Sequence, residues 1–204
     1  MTLVRLQEHL RLERCPYCNV DKPNLDELWE TKTTNSENNH VALWRFYKCV
    51  RCGSVVTAWA KEDNNYTDGI IPATKSVSKD VPKKAYSFLL QAIQSIHAPS
   101  GAIMLAASSV DAMLKEKGYT TGNLYPRIEQ AEKDHLITKE MATWAHQVRL
   151  DSNDQRHADQ AAELPTEVDA NKAIKFAQAQ AEFLFVLPAM VDKGLKDTSH
   201  QPLA

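Results

Sequence analysis

The chain has no cysteine outside two tight pairs, only 6 glycines in 204 residues, and no surplus of charge. Its 24 Lys and Arg stand against 26 Asp and Glu, a formal net charge of −2. A near-neutral chain does not hold polyanions through bulk electrostatics, so contact with nucleic acid would need a local patch. No Gly-rich phosphate loop, no Ser/His/Asp set and no paired-carboxylate site is visible. The longest apolar run, Phe183 to Val191, falls far short of the roughly 20 residues of a membrane span. The first dozen residues carry Arg5, Glu8, His9 and Arg11 instead of an apolar signal core. A cytoplasmic protein with no membrane association is therefore expected.

What is present begins with the cysteines, Cys15-Pro16-Tyr17-Cys18 and Cys49-Val50-Arg51-Cys52-Gly53. Two intervening residues let a tight turn aim both sulfurs at one point, and two such turns supply the four thiolates of a tetrahedral Zn²⁺ site. Four thiolates leave no open coordination position, so zinc is expected as a structural cofactor held by Cys15, Cys18, Cys49 and Cys52. Cysteines spent on a metal, with none left over, also point to a reducing compartment.

The surrounding sequence reads as β, with strands over Leu28–Thr31, Val41–Tyr47 and Ser54–Trp59. Residues 1–62 are predicted to form a zinc ribbon whose core is too small to fold without its metal. Residues 63–80, with Asp63-Asn64-Asn65 and Asp68-Gly69, read as a linker. From Val81 the apolar period becomes helical: Ala85, Phe88, Leu89, Ala92 and Ile93 open the first helix. A second, rich in Ala and Ser, ends at Gly118; a third covers Leu124 to Leu136; Thr138 caps a fourth; and Thr166-Glu167-Val168-Asp169 resembles a capping box for the last. Pro188 is expected to kink or end that helix. The fold class is α+β, mainly α: a ribbon, then a four- or five-helix bundle over 81–193, then a loose tail over 194–204.

Two surfaces carry candidate chemistry. On the fourth helix Arg149, Asn153 and His157 are spaced by four, Arg156 follows Arg149 by seven, and His146 borders the stripe. A guanidinium, an amide and an imidazole on one face can bind a phosphate and move a proton, which suffices for RNA cleavage without metal. A solvated helix face carries the same residue types. In the ribbon, Trp44-Arg45-Phe46-Tyr47-Lys48 and Arg51 interleave rings with cations, the composition of a single-strand reading head. Strand alternation there predicts Trp44 and Phe46 against the ribbon core and Arg45 and Tyr47 outward, which with Arg51 makes Arg45, Tyr47 and Arg51 the candidate nucleic-acid contacts, alongside Arg156.

The stretch from Pro82 to Val191 resembles the DUF4145 family of HEPN-like helical domains. The likeness rests on Pro99-Ser100-Gly101-Ala102-Ile103-Met104-Leu105-Ala106, Val110-Asp111-Ala112-Met113-Leu114, Leu124-Tyr125-Pro126-Arg127-Ile128, the Arg149/Ser152-Asn153/His157 segment and Phe183-Leu184-Phe185-Val186-Leu187-Pro188. The resemblance implies a HEPN-type bundle that forms a homodimer through the helices bearing the Arg/Asn/His segment, with an N-terminal zinc ribbon as a common companion. It also implies RNA as a ligand, a partner protein from the same operon, and a place in bacterial antiphage defence or toxin–antitoxin systems. Ribonuclease relatives place Arg, a polar residue and His in a composite site at the dimer interface. That makes Arg149, Asn153 and His157 the catalytic candidates of a metal-independent endoribonuclease, the alternative to a binding module. Ser152 stands where the motif's Arg is expected if Asn153 and His157 are aligned to it, and the Arg that relatives often carry before Asp111 is missing.

Overall fold

The computed structural model describes residues 4–61, 64–73, 76–157 and 163–198, with the side chains of His157, Asp197 and Thr198 outside that description. The chain is α+β and mainly helical, and divides into two units, Met1–Lys75 and Ser76–Ala204.

The first unit is an antiparallel meander of four strands in the order β1 (Leu25–Thr33), β2 (Ala42–Cys49), β3 (Val55–Lys61) and β4 (Gly69–Ile71). Three strands were expected; the fourth lies in the stretch read as a linker. Its signal is short, but Asp68 accepts from the Lys61 backbone N–H at 2.8 Å and turns the chain back, so that Ile70 and Ile71 pair with Ala58 and Thr57. The N-terminal arm completes the unit. Leu10 and Leu12 are buried with Leu25, Tyr47, Val56 and Ala58, and Val4 and Leu6 exchange backbone hydrogen bonds with Thr67 and Asn65.

The second unit contains α1 (Lys83–Gln94), α2 (Pro99–Glu116), α3 (Leu124–Lys133), α4 (Lys139–His157), α5 (Glu167–Ala181) and α6 (Leu187–Thr198). Helix α2 packs against α1, α3, α4 and α5. Its small residues permit this: Ala102, Ala106, Ala107 and Ser109 are buried, and the Ser109 hydroxyl donates to the Ala85 carbonyl of α1 at 2.8 Å. Gly118, at φ +97°, ends α2's last turn as expected. Helix α3 is shorter than its apolar pattern, because His135 takes φ +57°.

Thr166 and Asp169 form a reciprocal capping box on α5: the Thr166 N–H donates to Asp169 Oδ2 at 3.1 Å, and the Asp169 N–H donates to Thr166 Oγ1 at 3.4 Å. Thr166→Ala is expected to destabilise the helical unit by about 1 kcal/mol, read as a shift in its urea midpoint. An unchanged midpoint would show that packing alone holds the start of α5.

Pro188 neither ends nor breaks the last helix. A π-helical turn, Glu182–Val186, precedes it, and the Leu187 N–H donates to the Glu182 carbonyl. The shift to i→i+5 bonding absorbs the donor that proline lacks, so helix continues to Thr198, past the expected start of a loose tail; residues 199–204 lie outside the described residues. The run Glu167–Lys196 is the one helical segment among the described residues long and apolar enough by composition to cross a membrane. Its first half is spent on the bundle: Ala170, Ala173, Ile174, Phe176, Ala177, Ala181 and Leu184 are buried there.

Candidate metal centre and helical site

The two cysteine turns share one construction. The Cys15 N–H donates to the Val20 carbonyl and the Asn19 N–H to the Cys15 carbonyl; likewise the Cys49 N–H donates to the Ser54 carbonyl and the Gly53 N–H to the Cys49 carbonyl. The residue after each second cysteine is left-handed, Asn19 at φ +55° and Gly53 at φ +74°. These positions tolerate only residues that enter that region at low cost, and glycine and asparagine do. The turns bring the Sγ atoms of Cys15, Cys18, Cys49 and Cys52 within 4.8 Å of one another, with Cys15 and Cys52 sulfurs 4.0 Å apart. Sulfurs at tetrahedral corners 2.3 Å from a common centre lie about 3.8 Å apart, so the four fit a metal ion.

Their protonation fits it as well. Burial pushes the Cys18 thiol up to about 12 and raises that of Cys49. At Cys52 burial is outweighed by hydrogen bonds from the Ser54 side chain and backbone and from the neighbouring thiols, which bring it down to about 6. Four thiolates so close cannot ionise together without a cation between them. Metal binding must therefore displace protons, and the affinity falls as the pH is lowered.

The sheet places the ribbon candidates differently from the expectation. Tyr47 is fully buried, and its hydroxyl donates to the Gln7 carbonyl at 2.7 Å. Burial pushes its phenol up to about 12, so it stays neutral and belongs to the core. Arg45 lies on the same side of β2, clamped to Glu27 at 2.6 Å and Glu30 at 2.8 Å. The alternation holds but its sense is inverted: the inner face carries Arg45, Tyr47 and Cys49, because the N-terminal arm and the cysteine turns close on that side. Trp44 and Phe46 face away. Arg51 is exposed at the tip of the second cysteine turn.

On α4 the core positions are Ala142, Ala145, Val148 and Ser152, the last 2% exposed with its hydroxyl unpartnered. Arg149 and Asn153 are half-buried beside that stripe and Arg156 is exposed. The Arg149 guanidinium lies 5.2 Å from the centroid of the Tyr125 ring on α3. His146 stands 4.7 Å from the same ring, and its Nε2 meets Glu129 Oε1 at 2.9 Å while Nδ1 is buried. With Nε2 on Glu129 and Nδ1 enclosed, the His146 ring is packed between Glu129 and Tyr125 and offers no nitrogen at the surface. Ser152 points inward and cannot stand in for the motif's Arg. The His157 side chain lies outside the described residues.

Sequence reasoning missed the α3 side of this group, Tyr125 and Glu129, which only helix packing brings to α4. It also missed the partner of Asp111. Arg127 of α3 donates to Asp111 and to the Gly122 carbonyl, and at 3.1 Å to the Thr120 carbonyl; Lys115 reaches Asp111 from the next turn. Asp111 is thus paired by guanidinium from α3 as well as by the ammonium one turn on.

Searches of the curated proteins and of the solved structures return no match. Residues 90–198 match the model of a domain of unknown function, DUF4145, from within α1 to the end of α6. The match spans more than half of the chain, and with the four-cysteine centre lying in the separate N-terminal unit, the protein is a member of the DUF4145 family.

Proposed function

We propose that the protein is a zinc-pinned, non-catalytic module that binds nucleic acid in a reducing cytosol, with its helical unit a HEPN-like bundle that pairs with a second copy. The observation that carries this reading is the division of labour on α4. Alanine, valine and serine take the core positions, which keeps Arg149, Asn153 and Arg156 off the core, and Arg149 is steadied on Tyr125. A guanidinium held by a ring loses little freedom on meeting a phosphate. Zinc is the metal that four tetrahedral thiolates favour, and it is structural here. A partner protein and a setting in antiphage defence or a toxin–antitoxin type system, which the family likeness implies, belong to the same reading.

Oligonucleotide binding measured against salt tests it. Replacing Arg149 and Arg156 with alanine is expected to weaken binding and to lower the salt slope by about one per lost phosphate contact. Unchanged binding would move the function elsewhere. The second reading, a metal-independent endoribonuclease using Arg149, Asn153 and His157, is favoured by the i, i+4 placement of these residues on α4. RNA cleavage that survives EDTA and disappears in His157→Ala would establish it over the binding module.

A further inference from the structure

The outward face of the β1–β4 sheet has no role in the fold described so far, and its composition is unusual. An antiparallel sheet with one face on a core ordinarily turns polar residues to solvent. Here Trp29, Trp44, Phe46 and Trp59 occupy that face, and none belongs to the buried core of the unit. Trp29 is 60% exposed, and Ile71 of β4 extends the surface.

The rings are ordered into two cross-strand stacks. Trp29 and Phe46 lie 5.4 Å apart at 25°, and Trp44 and Trp59 lie 5.4 Å apart at 24°. The Trp44 Nε1–H donates to Thr33 Oγ1 at 2.9 Å, which fixes its ring. Gly69 lies opposite Trp59, and a Cβ there would sit 2.3 Å from the Trp59 Nε1. The missing side chain lets the indole spread over β4.

Each end of the ring surface carries a lysine with a carboxylate beside it, Asp26 opposite Lys48 and Asp68 on the Lys61 backbone. Exposed Lys48 and Lys61 stand at opposite ends of the β2–β3 pair, where Lys48 faces Val55 and Lys61 faces Ala42. Six residues of strand separate these two ends, about 20 Å. Thr31 and Thr57 add hydroxyls between them, while Glu27 and Glu30 are turned to the inner face and held by Arg45. The strand carboxylate on the outward side, Asp26, lies opposite Lys48 at one end.

We propose that this face is a base-stacking platform for single-stranded nucleic acid, with the free outer faces of the Trp29/Phe46 and Trp44/Trp59 stacks receiving bases and Lys48 and Lys61 meeting the backbone. Ring faces left open on the outside of each stack suit unpaired bases, whose π-faces are free, and reject a duplex, whose base faces are covered. The ligand class rests on the nucleic-acid reading above; the site does not, since it lies on a different unit from α4.

The test uses the full-length, metal-loaded protein and fluorescein-labelled oligo(U) and oligo(dT) of about 12 nucleotides, with fluorescence anisotropy at low salt. Trp29→Ala removes the most exposed ring and is expected to weaken binding about tenfold, within the range for loss of one stacked base. Trp29→Phe should restore most of it, and both variants should keep the wild-type metal content. Wild-type affinity in Trp29→Ala would overturn the platform, as would preference for a duplex of the same length or binding of a proline-rich peptide in place of the oligonucleotide. If Trp29→Ala binds normally while the Arg149/Arg156 double variant does not, the nucleic-acid reading stands and the platform falls. No binding by the wild-type protein overturns both.

Discussion

Chelation of the metal, or Cys49→Ser, is expected to unfold the N-terminal unit while the helical signal persists. The buried cluster of the first unit comprises Leu10, Leu12, Cys15, Leu25, Tyr47, Cys49, Val56 and Ala58, so two of its eight members are themselves candidate metal ligands. A core of that size supplies little stability. Structural zinc in small domains contributes about 10–16 kcal/mol of apparent binding energy near neutral pH, most of it spent on folding. The helical unit has its own core running through α1, α2, α4 and α5 and contains none of the cysteines. The measurement is one equivalent of zinc per chain by elemental analysis, followed by near-ultraviolet circular dichroism of the sheet aromatics during chelation. A near-ultraviolet spectrum unchanged on metal removal, with no loss of the part that Trp29, Trp44, Trp59 and Tyr47 add to that of Trp144 and the helical tyrosines, would show that the sheet holds itself together.

Asp111→Ala is expected to destabilise the helical unit by about 3–5 kcal/mol, the usual result of leaving a buried charge without its partner. Arg127 is 8% exposed, its guanidinium is enclosed by the loop between α2 and α3, and Asp111 is the carboxylate that faces it. Lys115, also bound to Asp111, is half-exposed and can turn to water, so Lys115→Ala should cost far less. Arg127→Met combined with Asp111→Ala should recover part of the loss, because it removes the stranded charge as well. Urea unfolding followed by far-ultraviolet circular dichroism separates these variants. Equal stability of Asp111→Ala and wild type would show that the two carbonyls alone satisfy Arg127.

The elements were legible where local chemistry decides them. Spacing in the two cysteine pairs, the left-handed Gly118, the Thr138 and Thr166 caps and the apolar period of α1 each act within a few residues. Less legible was anything that depends on a neighbour distant in sequence. Strand β4 has three residues and forms because β3 offers an open edge. Pro188 is the local exception: it reads as a breaker, yet the π turn just before it lets the helix run on. The candidate site divides in the same way: α4's spacing of Arg149 and Asn153 is visible in one dimension, whereas Tyr125, Glu129 and Arg127 arrive from another helix.

The sequence by itself determined a four-cysteine cluster able to hold a metal ion, an α+β chain with its strands first, and membership of one helical family, because ligand spacing and apolar period are local properties. Only the tertiary structure decided which face of β2 is inside. Alternation separates Trp44 and Phe46 from Arg45 and Tyr47 but carries no sign. The sign comes from the N-terminal arm and the cysteine turns, which close over Tyr47 and leave Trp44 and Phe46 half-buried on the other face. Burying the smaller set completes the core beside the cysteine turns, and that choice leaves the aromatic surface on the outward face of the sheet.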